Sequence, residues 1–210
     1  MLTLYGTQGS GSAAAEAALD IAGLAYRKVD AASWKPSPGL DELRKVNPIA
    51  QIPTLVLDDG SVVTESAAIL LHLGQTYPKS GLIASEPSQR AQQIRGLVYV
   101  AANCYAAIGI LDYPDRWYPE PDDAAKKAMQ SRGRARLHEL WEIFADQFPA
   151  TPWLSGDRLG ALDILAATIS MWSGARKALA ASRPEFSKLL ARIEADPRIA
   201  AVWARHWPNR

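Results

Sequence analysis

The chain has 210 residues, of which 48% are hydrophobic, and its formal net charge is +1 at pH 7. This hydrophobic content is enough to bury a sizeable core in one large domain or two small ones. The near-neutral charge gives no electrostatic footprint for nucleic acid, and the single cysteine, Cys104, argues against a disulfide scaffold, a cysteine-rich metal site or a Cys-x-x-Cys redox centre.

The apolar runs in the sequence are short. Residues 1–5 are too few for the hydrophobic region of a signal peptide, and no uninterrupted apolar run approaches about 18 residues. We therefore expect a cytoplasmic protein that is neither secreted nor inserted in a membrane.

The first 76 residues alternate strand patterns with helical patterns, which is the order of an α/β domain. Within the predicted hairpin, Asp59-Gly60 indicates a tight turn with positive φ. The predicted elements are strands at 2–5 and 26–30, helices at 12–24 and 39–46, a hairpin of strands 54–57 and 61–64, and a helix at 65–76.

A linker is predicted at residues 77–87, where proline and glycine interrupt the helical pattern. From residue 88 onward we find only helical periodicity. The sequence therefore predicts an all-α helical bundle over residues 88–210. Its predicted helices lie at 88–111, 122–148, 162–179, 184–195 and 198–206.

The stretch from residue 47 to residue 66 combines a rigid turn, the hairpin and a helix start. Pro53 cannot donate to a strand ladder, so the backbone of Ile52 is left free to hydrogen-bond an extended ligand. The Ile52–Pro53 peptide bond is suited to the cis form. At the next helix start, the Ser66 hydroxyl and free N–H groups favour a ligand carboxylate. Because Glu65 adds an acceptor for an amine, the combination suits a zwitterionic α-amino acid group.

These residues carry a resemblance to a known family. Asn47-Pro48, Gln51-Ile52-Pro53 and Glu65-Ser66 resemble the glutathione-binding segment of cytosolic glutathione S-transferases. The first strand with its Gly/Ser loop and Gly23-Leu24-Ala25-Tyr26 is similar to the start of that family's first domain. Residues 156–166 are similar to the helix-capping motif of its second domain.

The resemblance implies a bacterial member of the family with two domains. The first is a thioredoxin-like domain of order βαβαββα at residues 1–76, which binds reduced glutathione as co-substrate. The second is the all-α domain, which binds a small hydrophobic electrophile. The resemblance also implies a homodimer, and we expect no metal, no nucleic-acid partner and no membrane partner.

Particular residues take roles under this resemblance. Trp34 and Lys35 lie in the loop that faces the glycyl carboxylate of glutathione in relatives, although a solvated loop is an equal alternative. Gln51 has the alternative of an exposed loop residue, and aromatic residues at helical spacing are more often core than pocket wall. The implied glutathione-binding residues are Lys35, Gln51, Ile52, Pro53, Glu65 and Ser66. The implied electrophile pocket is Tyr105, Ile108, Tyr113 and Trp117.

Activation of the thiol would depend on the loop at residues 6–12. Lowering a thiol pKa of about 8.5 by two units requires roughly 2.7 kcal/mol, and one hydroxyl hydrogen bond to the thiolate supplies about 1.5 to 3 kcal/mol. Ser10 lies close to where serine-type members carry the thiolate-stabilising serine. Ser12, shifted toward the helix, is the second catalytic candidate, with a plain N-cap as its alternative. A tyrosine-type site at Tyr5 and a cysteine-type site at Gly11 are disfavoured.

Two other functions remain open. The pattern of Asn47-Pro48 with Gln51-Ile52-Pro53 is similar to that of zeta-type glutathione-dependent isomerases, although the Ser-Ser-Cys signature of that class is absent. The unusual Gly-Ser-Gly-Ser loop instead suggests a non-catalytic protein with the transferase fold.

The capping segment makes one structural prediction. Asp163 follows Gly160 by three residues, so its carboxylate should reach back to unpaired N–H groups at the start of a helix. Gly160 replaces the usual Ser/Thr cap, and half of the reciprocal capping box is therefore missing. Leu159 can still supply the hydrophobic staple.

Overall fold

A computed structural model describes residues 1–120 and 122–208, so the predicted domain end at residue 210 lies outside the described residues. The first 76 residues form four strands and three helices in the predicted βαβαββα order. In chain order they are β1 (Leu2–Gly6), α1 (Ser12–Ile21), β2 (Tyr26–Asp30), α2 (Pro38–Val46), β3 (Thr54–Val56), β4 (Val62–Thr64) and α3 (Ser66–Thr76).

The strands form one mixed sheet with the order β2-β1-β3-β4. β1 pairs in parallel with β2, with Leu2 opposite Tyr26, and antiparallel with β3, with Leu4 opposite Leu55. β3 and β4 form the predicted hairpin, whose turn contains Gly60 at φ 85°. This sheet and its three helices are the predicted thioredoxin-like domain.

The second half of the chain is helical. Prolines at the first position start several of its helices, where a missing N–H costs nothing and the fixed φ suits the helix. The α-helices are α4 (Pro87–Tyr99), α5 (Ala106–Asp112), α6 (Asp123–Gln147), α7 (Ala161–Ile169), α8 (Ala175–Ser182), α9 (Pro184–Glu194) and α10 (Pro197–His206).

The prediction of a single helix at 162–179 was wrong. α7 ends at Ile169, and α8 begins only at Ala175. Between them, Ser173 and Gly174 have φ of 58° and 77°, which a right-handed helix cannot contain. The Ser173 carbonyl lies 3.0 Å from His138 Nε2 on α6, a long-range contact that helical periodicity does not reveal.

The predicted helix at 88–111 is continuous but not uniform, because a π-helical segment, Val100–Tyr105, joins α4 to α5. By length and composition alone, the stretch Pro87–Asp112 is apolar enough to cross a membrane. The sequence reasoning, which considered only uninterrupted apolar runs, did not anticipate this. Core helices of soluble proteins have the same properties, and here the stretch packs against α6 and α7 with Leu97 and Cys104 fully buried.

One hydrophobic core runs through both halves of the molecule. α1 packs on α3 and also on α7 and α10, while Leu82 and Ile83 of the linker region are buried in the same core. On the other face of the sheet, α2 covers a small separate cluster that contains Tyr5 and Leu43. The N-terminus of α1 is therefore held at the junction of the two halves.

The capping segment before α7 confirms the role predicted for Asp163. Its buried carboxylate accepts hydrogen bonds from the backbone N–H groups of Leu154 (2.8 Å), Ser155 (3.0 Å) and Gly160 (3.0 Å). The Ser155 hydroxyl accepts from Leu162 N–H at 3.2 Å and so supplies the missing half of the box. A Cβ at Gly160 would lie 2.9 Å from Ser155 Oγ, which explains the glycine.

Candidate functional site

A cavity of about 570 Å³ lies between the sheet domain and the helical half. Its two walls come from the two halves of the chain. The sheet domain contributes Gly9, Ser10, Gly11, Ser33, Trp34, Ile49, Ala50, Gln51, Ile52, Pro53, Thr64, Glu65 and Ser66. The helical half contributes Ala101, Tyr105, Ala106, Ile108, Gly109, Asp112, Tyr113, Arg116, Trp117 and Trp172.

The turn before β3 presents an unpaired backbone to this cavity. The Ile52–Pro53 bond is cis. Asn47 stabilises the turn, because its Nδ2 donates to the Gln51 carbonyl at 3.2 Å and to Thr54 Oγ1 at 2.9 Å. In the described part of the chain, the backbone of Ile52 forms no hydrogen bond. An extended peptide can therefore pair with Ile52.

The start of α3 offers unsatisfied polar groups beside this turn. Glu65 has φ 63° and ψ 118°, a strained conformation for a residue with a side chain, and such strain is typical of ligand sites. Among the described residues, neither the Glu65 carboxylate nor the Ser66 hydroxyl has a hydrogen-bond partner. The first N–H groups of the helix are also unpaired by geometry. This corner is suited to an α-amino acid group.

The two catalytic candidates occupy different positions. Ser10 lines the cavity, whereas Ser12 is 0% exposed and does not. Ser12 Oγ accepts from Thr7 N–H at 3.2 Å and lies 2.8 Å from Ser10 Oγ, so it belongs to the internal structure of the loop. Ser12 is therefore not on the surface of the cavity, and its assignment to catalysis stays a prediction.

The other sheet-domain candidates also differ in position. Trp34 lines the cavity and is 60% exposed. Lys35 is exposed outside the cavity lining, so its assignment to glutathione binding is not supported by contact with the cavity. The Tyr5 phenol donates to Glu42 Oε1 at 2.8 Å and faces α2, which agrees with the expectation that it does not activate a thiol.

The helical wall contains all four residues of the predicted electrophile pocket, namely Tyr105, Ile108, Tyr113 and Trp117. Sequence reasoning missed Asp112, Arg116 and Trp172 on the same wall. The Arg116 guanidinium lies 4.0 Å from the centre of the Tyr113 ring, and the Trp172 ring lies 6.2 Å from that of Tyr105 in an edge-to-face contact. Burial raises the pKa of the Asp112 carboxyl.

A hydrogen-bonded cluster centred on the buried Glu16 carboxylate connects the hydroxyl loop to the last helix. The Gly9 N–H donates to His206 Nδ1 at 3.2 Å, so the proton of this imidazole is on Nε2, which lies 3.1 Å from Glu16 Oε2. Lys28 and Arg205 also bind the Glu16 carboxylate. Burial alone would raise the pKa of Glu16, but the hydrogen bonds from His206, Lys28 and Arg205 outweigh it and lower the pKa to about 2.

Within residues 1–120 and 122–208, no group of three or more His, Cys, Asp or Glu side chains has the arrangement of a metal site. The polar groups of the cavity are instead the carboxylates of Glu65 and Asp112, the Arg116 guanidinium, hydroxyls and unpaired backbone, which suit a peptide.

Comparison with known proteins agrees with this geometry. Residues 1–75 match the family model described as glutathione S-transferase, N-terminal domain. A GST-like protein of Escherichia coli K12, YncG, is 31% identical over 174 residues, which cover 82% of each chain. The chain belongs to the glutathione S-transferase family.

Two further similarities bear on function. A sphingomonad glutathione S-transferase, whose structure was solved in complex with glutathione, is 25% identical with a TM-score of 0.73, over 95% of this chain and 96% of that one. A maleylacetoacetate isomerase of Pseudomonas aeruginosa is 26% identical over 121 residues, covering 57% of this chain and 55% of the relative.

Proposed function

We propose that the protein is a glutathione transferase, which binds reduced glutathione in the cavity and presents its thiolate to a small hydrophobic electrophile or a peroxide. One observation carries the proposal: the unpaired backbone of Ile52 and the unpaired polar groups of Glu65 and Ser66 face an aromatic wall across one cavity. The sphingomonad relative that binds glutathione supports it, since it matches this chain over nearly its full length.

The binding mode follows from the chemistry of each group. The γ-glutamyl carboxylate takes the N-terminus of α3, where the Ser66 hydroxyl and the helix dipole favour an anion. The γ-glutamyl amine is paired by the Glu65 carboxylate. The cysteinyl main chain lies antiparallel to Ile52, which directs its thiol toward Ser10 and Gly11 at the N-terminus of α1.

In the reaction, the thiolate supplies an electron pair that forms a bond to the electrophilic carbon, and the leaving group departs with its bonding pair. The protein's part is to hold both reactants in one cavity and to favour the thiolate. The N-terminus of α1 contributes about 0.3 to 1 kcal/mol to the thiolate. A hydroxyl donor must supply most of the remainder.

An isomerase of the zeta type is the second candidate. The Pseudomonas aeruginosa maleylacetoacetate isomerase and the pattern around Pro53 favour it. Ser10-Gly11-Ser12 stands in place of the Ser-Ser-Cys signature, which argues against it. Turnover of a cis-dienone acid, compared with conjugation of an aryl halide, separates the two activities. A non-catalytic binding protein would bind glutathione with an unshifted thiol pKa.

A cytoplasmic homodimer is part of the proposal. The support for the homodimer is the resemblance to the glutathione S-transferase family stated from the sequence. Light scattering of the purified protein gives the mass directly and tests this point.

The Ser66→Ala variant is expected to bind glutathione about 1.5 to 3 kcal/mol more weakly than wild type, because it loses a hydrogen bond to a charged group. Calorimetric titration with reduced glutathione measures this difference. Glu65→Ala should lose affinity in the same titration, since the ligand amine loses its partner.

Ser61→Ala is the matched control, because Ser61 is an exposed serine in the hairpin turn and outside the cavity. We expect its affinity to equal that of wild type. Wild-type affinity in Ser66→Ala would reject this binding mode, and no heat from wild type at millimolar glutathione would reject the proposed function itself.

A further inference from the structure

The hydrogen bonds of Ser10 leave its hydroxyl without a free proton. Ser10 Oγ donates to the Thr7 carbonyl at 2.7 Å and accepts from the Ser12 N–H at 3.2 Å. The Ser10 proton has two acceptors inside the loop, the Thr7 carbonyl and Ser12 Oγ at 2.8 Å, and Ser12 Oγ also lies 3.2 Å from the Thr7 carbonyl. To donate to a thiolate, Ser10 would have to break a hydrogen bond within the loop.

A second hydroxyl reaches the same corner from the opposite wall. A Cβ built on Gly11 would lie 2.9 Å from Tyr105 Oη and 3.5 Å from Ser66 Oγ. The phenol thus occupies the space that the missing side chain of residue 11 leaves open. Within the described residues, Tyr105 Oη has no hydrogen-bond partner, so its proton is available.

We propose that the Tyr105 phenol donates the hydrogen bond that holds the glutathione thiolate, so that the activating hydroxyl comes from the helical half of the chain. This inference rests on the proposed function, because it requires glutathione in the cavity. Tyr105 then has a catalytic role rather than being only part of the electrophile wall.

The surroundings of Tyr105 favour a donor. Tyr105 ends the π-helical segment, a local irregularity that is frequent at functional sites. The edge-to-face contact with Trp172 supports its ring. Burial, with the nearby Glu65 carboxylate, raises the pKa of Tyr105 to about 12, so the phenol keeps its proton at neutral pH.

The proton balance is simple. The thiol proton leaves to solvent, the electron pair stays on sulfur, and the phenol retains its own proton while it donates to the anion. No oxidant or further group is needed.

The test is the thiol pKa of bound glutathione, read from the ultraviolet absorbance of the thiolate in the binary complex as a function of pH. Tyr105→Phe is expected to raise this pKa by about 1 to 2 units, which is the size of one hydrogen bond to a charged group. Ser10→Ala should shift the thiol pKa less than Tyr105→Phe does. Tyr118→Phe, an exposed tyrosine outside the cavity lining, should leave it at the wild-type value.

The outcomes separate this inference from the proposed function. No glutathione binding by wild type would reject both. Tyr105→Phe with the wild-type thiol pKa, or with no glutathione binding at all, would overturn the inference alone. A slower reaction with an unchanged thiol pKa would assign Tyr105 to the electrophile instead and would also overturn it.

Discussion

Replacing Glu16 with glutamine is expected to lower the free energy of unfolding by about 3 kcal/mol, since the change removes the buried charge that Lys28, Arg205 and His206 stabilise and whose pKa they lower to about 2. Glu16 is almost completely buried, and its carboxylate binds Lys28, Arg205 and His206. Urea unfolding at neutral pH, followed by circular dichroism, measures the loss.

Glu42→Gln is the matched control. Glu42 is also a carboxylate paired with an arginine, Arg27, but both side chains are more than one third exposed. Exposed ion pairs contribute about 0 to 1 kcal/mol. Equal losses in the two variants would contradict the importance assigned to burial.

The same carboxylate predicts how stability depends on pH. The pKa of Glu16 falls from 4.5 to about 2 on folding. A lowered pKa stabilises the fold above the unfolded value, so the contribution, about 3 kcal/mol, is present above pH 4.5 and disappears as pH falls toward 2. Wild type should therefore lose more stability than Glu16→Gln across this range.

Asp163→Ala is expected to cost about 3 to 5 kcal/mol of unfolding free energy. The reason is that the buried N–H groups of Leu154, Ser155 and Gly160 lose their acceptor together, and each unpaired buried donor costs about 1 to 3 kcal/mol. Asp163→Asn keeps one acceptor oxygen and should fall between the alanine variant and wild type. Thermal or urea unfolding gives the order.

Asp122→Ala provides the comparison for an exposed cap. Asp122 accepts one hydrogen bond, from Ala125 N–H at 2.7 Å, at the start of α6. Loss of such a cap costs about 1 kcal/mol. If Asp163→Ala lowered the free energy of unfolding no more than Asp122→Ala does, the three buried hydrogen bonds of Asp163 would not stabilise the fold more than one exposed cap.

The parts of the fold that sequence predicted depend on local signals. The strand and helical patterns of the first 76 residues and the turn signal of Asp59-Gly60 each depend on residues that are close together in the chain. The break at Ser173 and Gly174 escaped prediction because apolar periodicity continues across it, and its contact with His138 is distant in sequence.

The residues of the site also differ in whether a local stretch of sequence reveals them. Ile52, Pro53, Glu65 and Ser66, which line the cavity, could be predicted as binding residues because their chemistry follows from a short stretch of chain. The bond between His206 and Glu16 spans 190 residues, and no local pattern connects them. The proposal that Tyr105 rather than Ser10 activates the thiol rests on the hydrogen bonds of Ser10, which only three-dimensional structure provides.

The contact between Gly9 and His206 has a consequence for how the protein is made. During synthesis, the hydroxyl loop leaves the ribosome long before α10, because Gly9 and its partner His206 are 197 residues apart in the chain. Until α10 is synthesised and packed, Glu16 lacks its partners Arg205 and His206, and the loop lacks the hydrogen bond from Gly9 to His206. The strands of the sheet domain can therefore pair before α10 is synthesised, whereas the hydroxyl loop gains its hydrogen bond to His206 only afterwards.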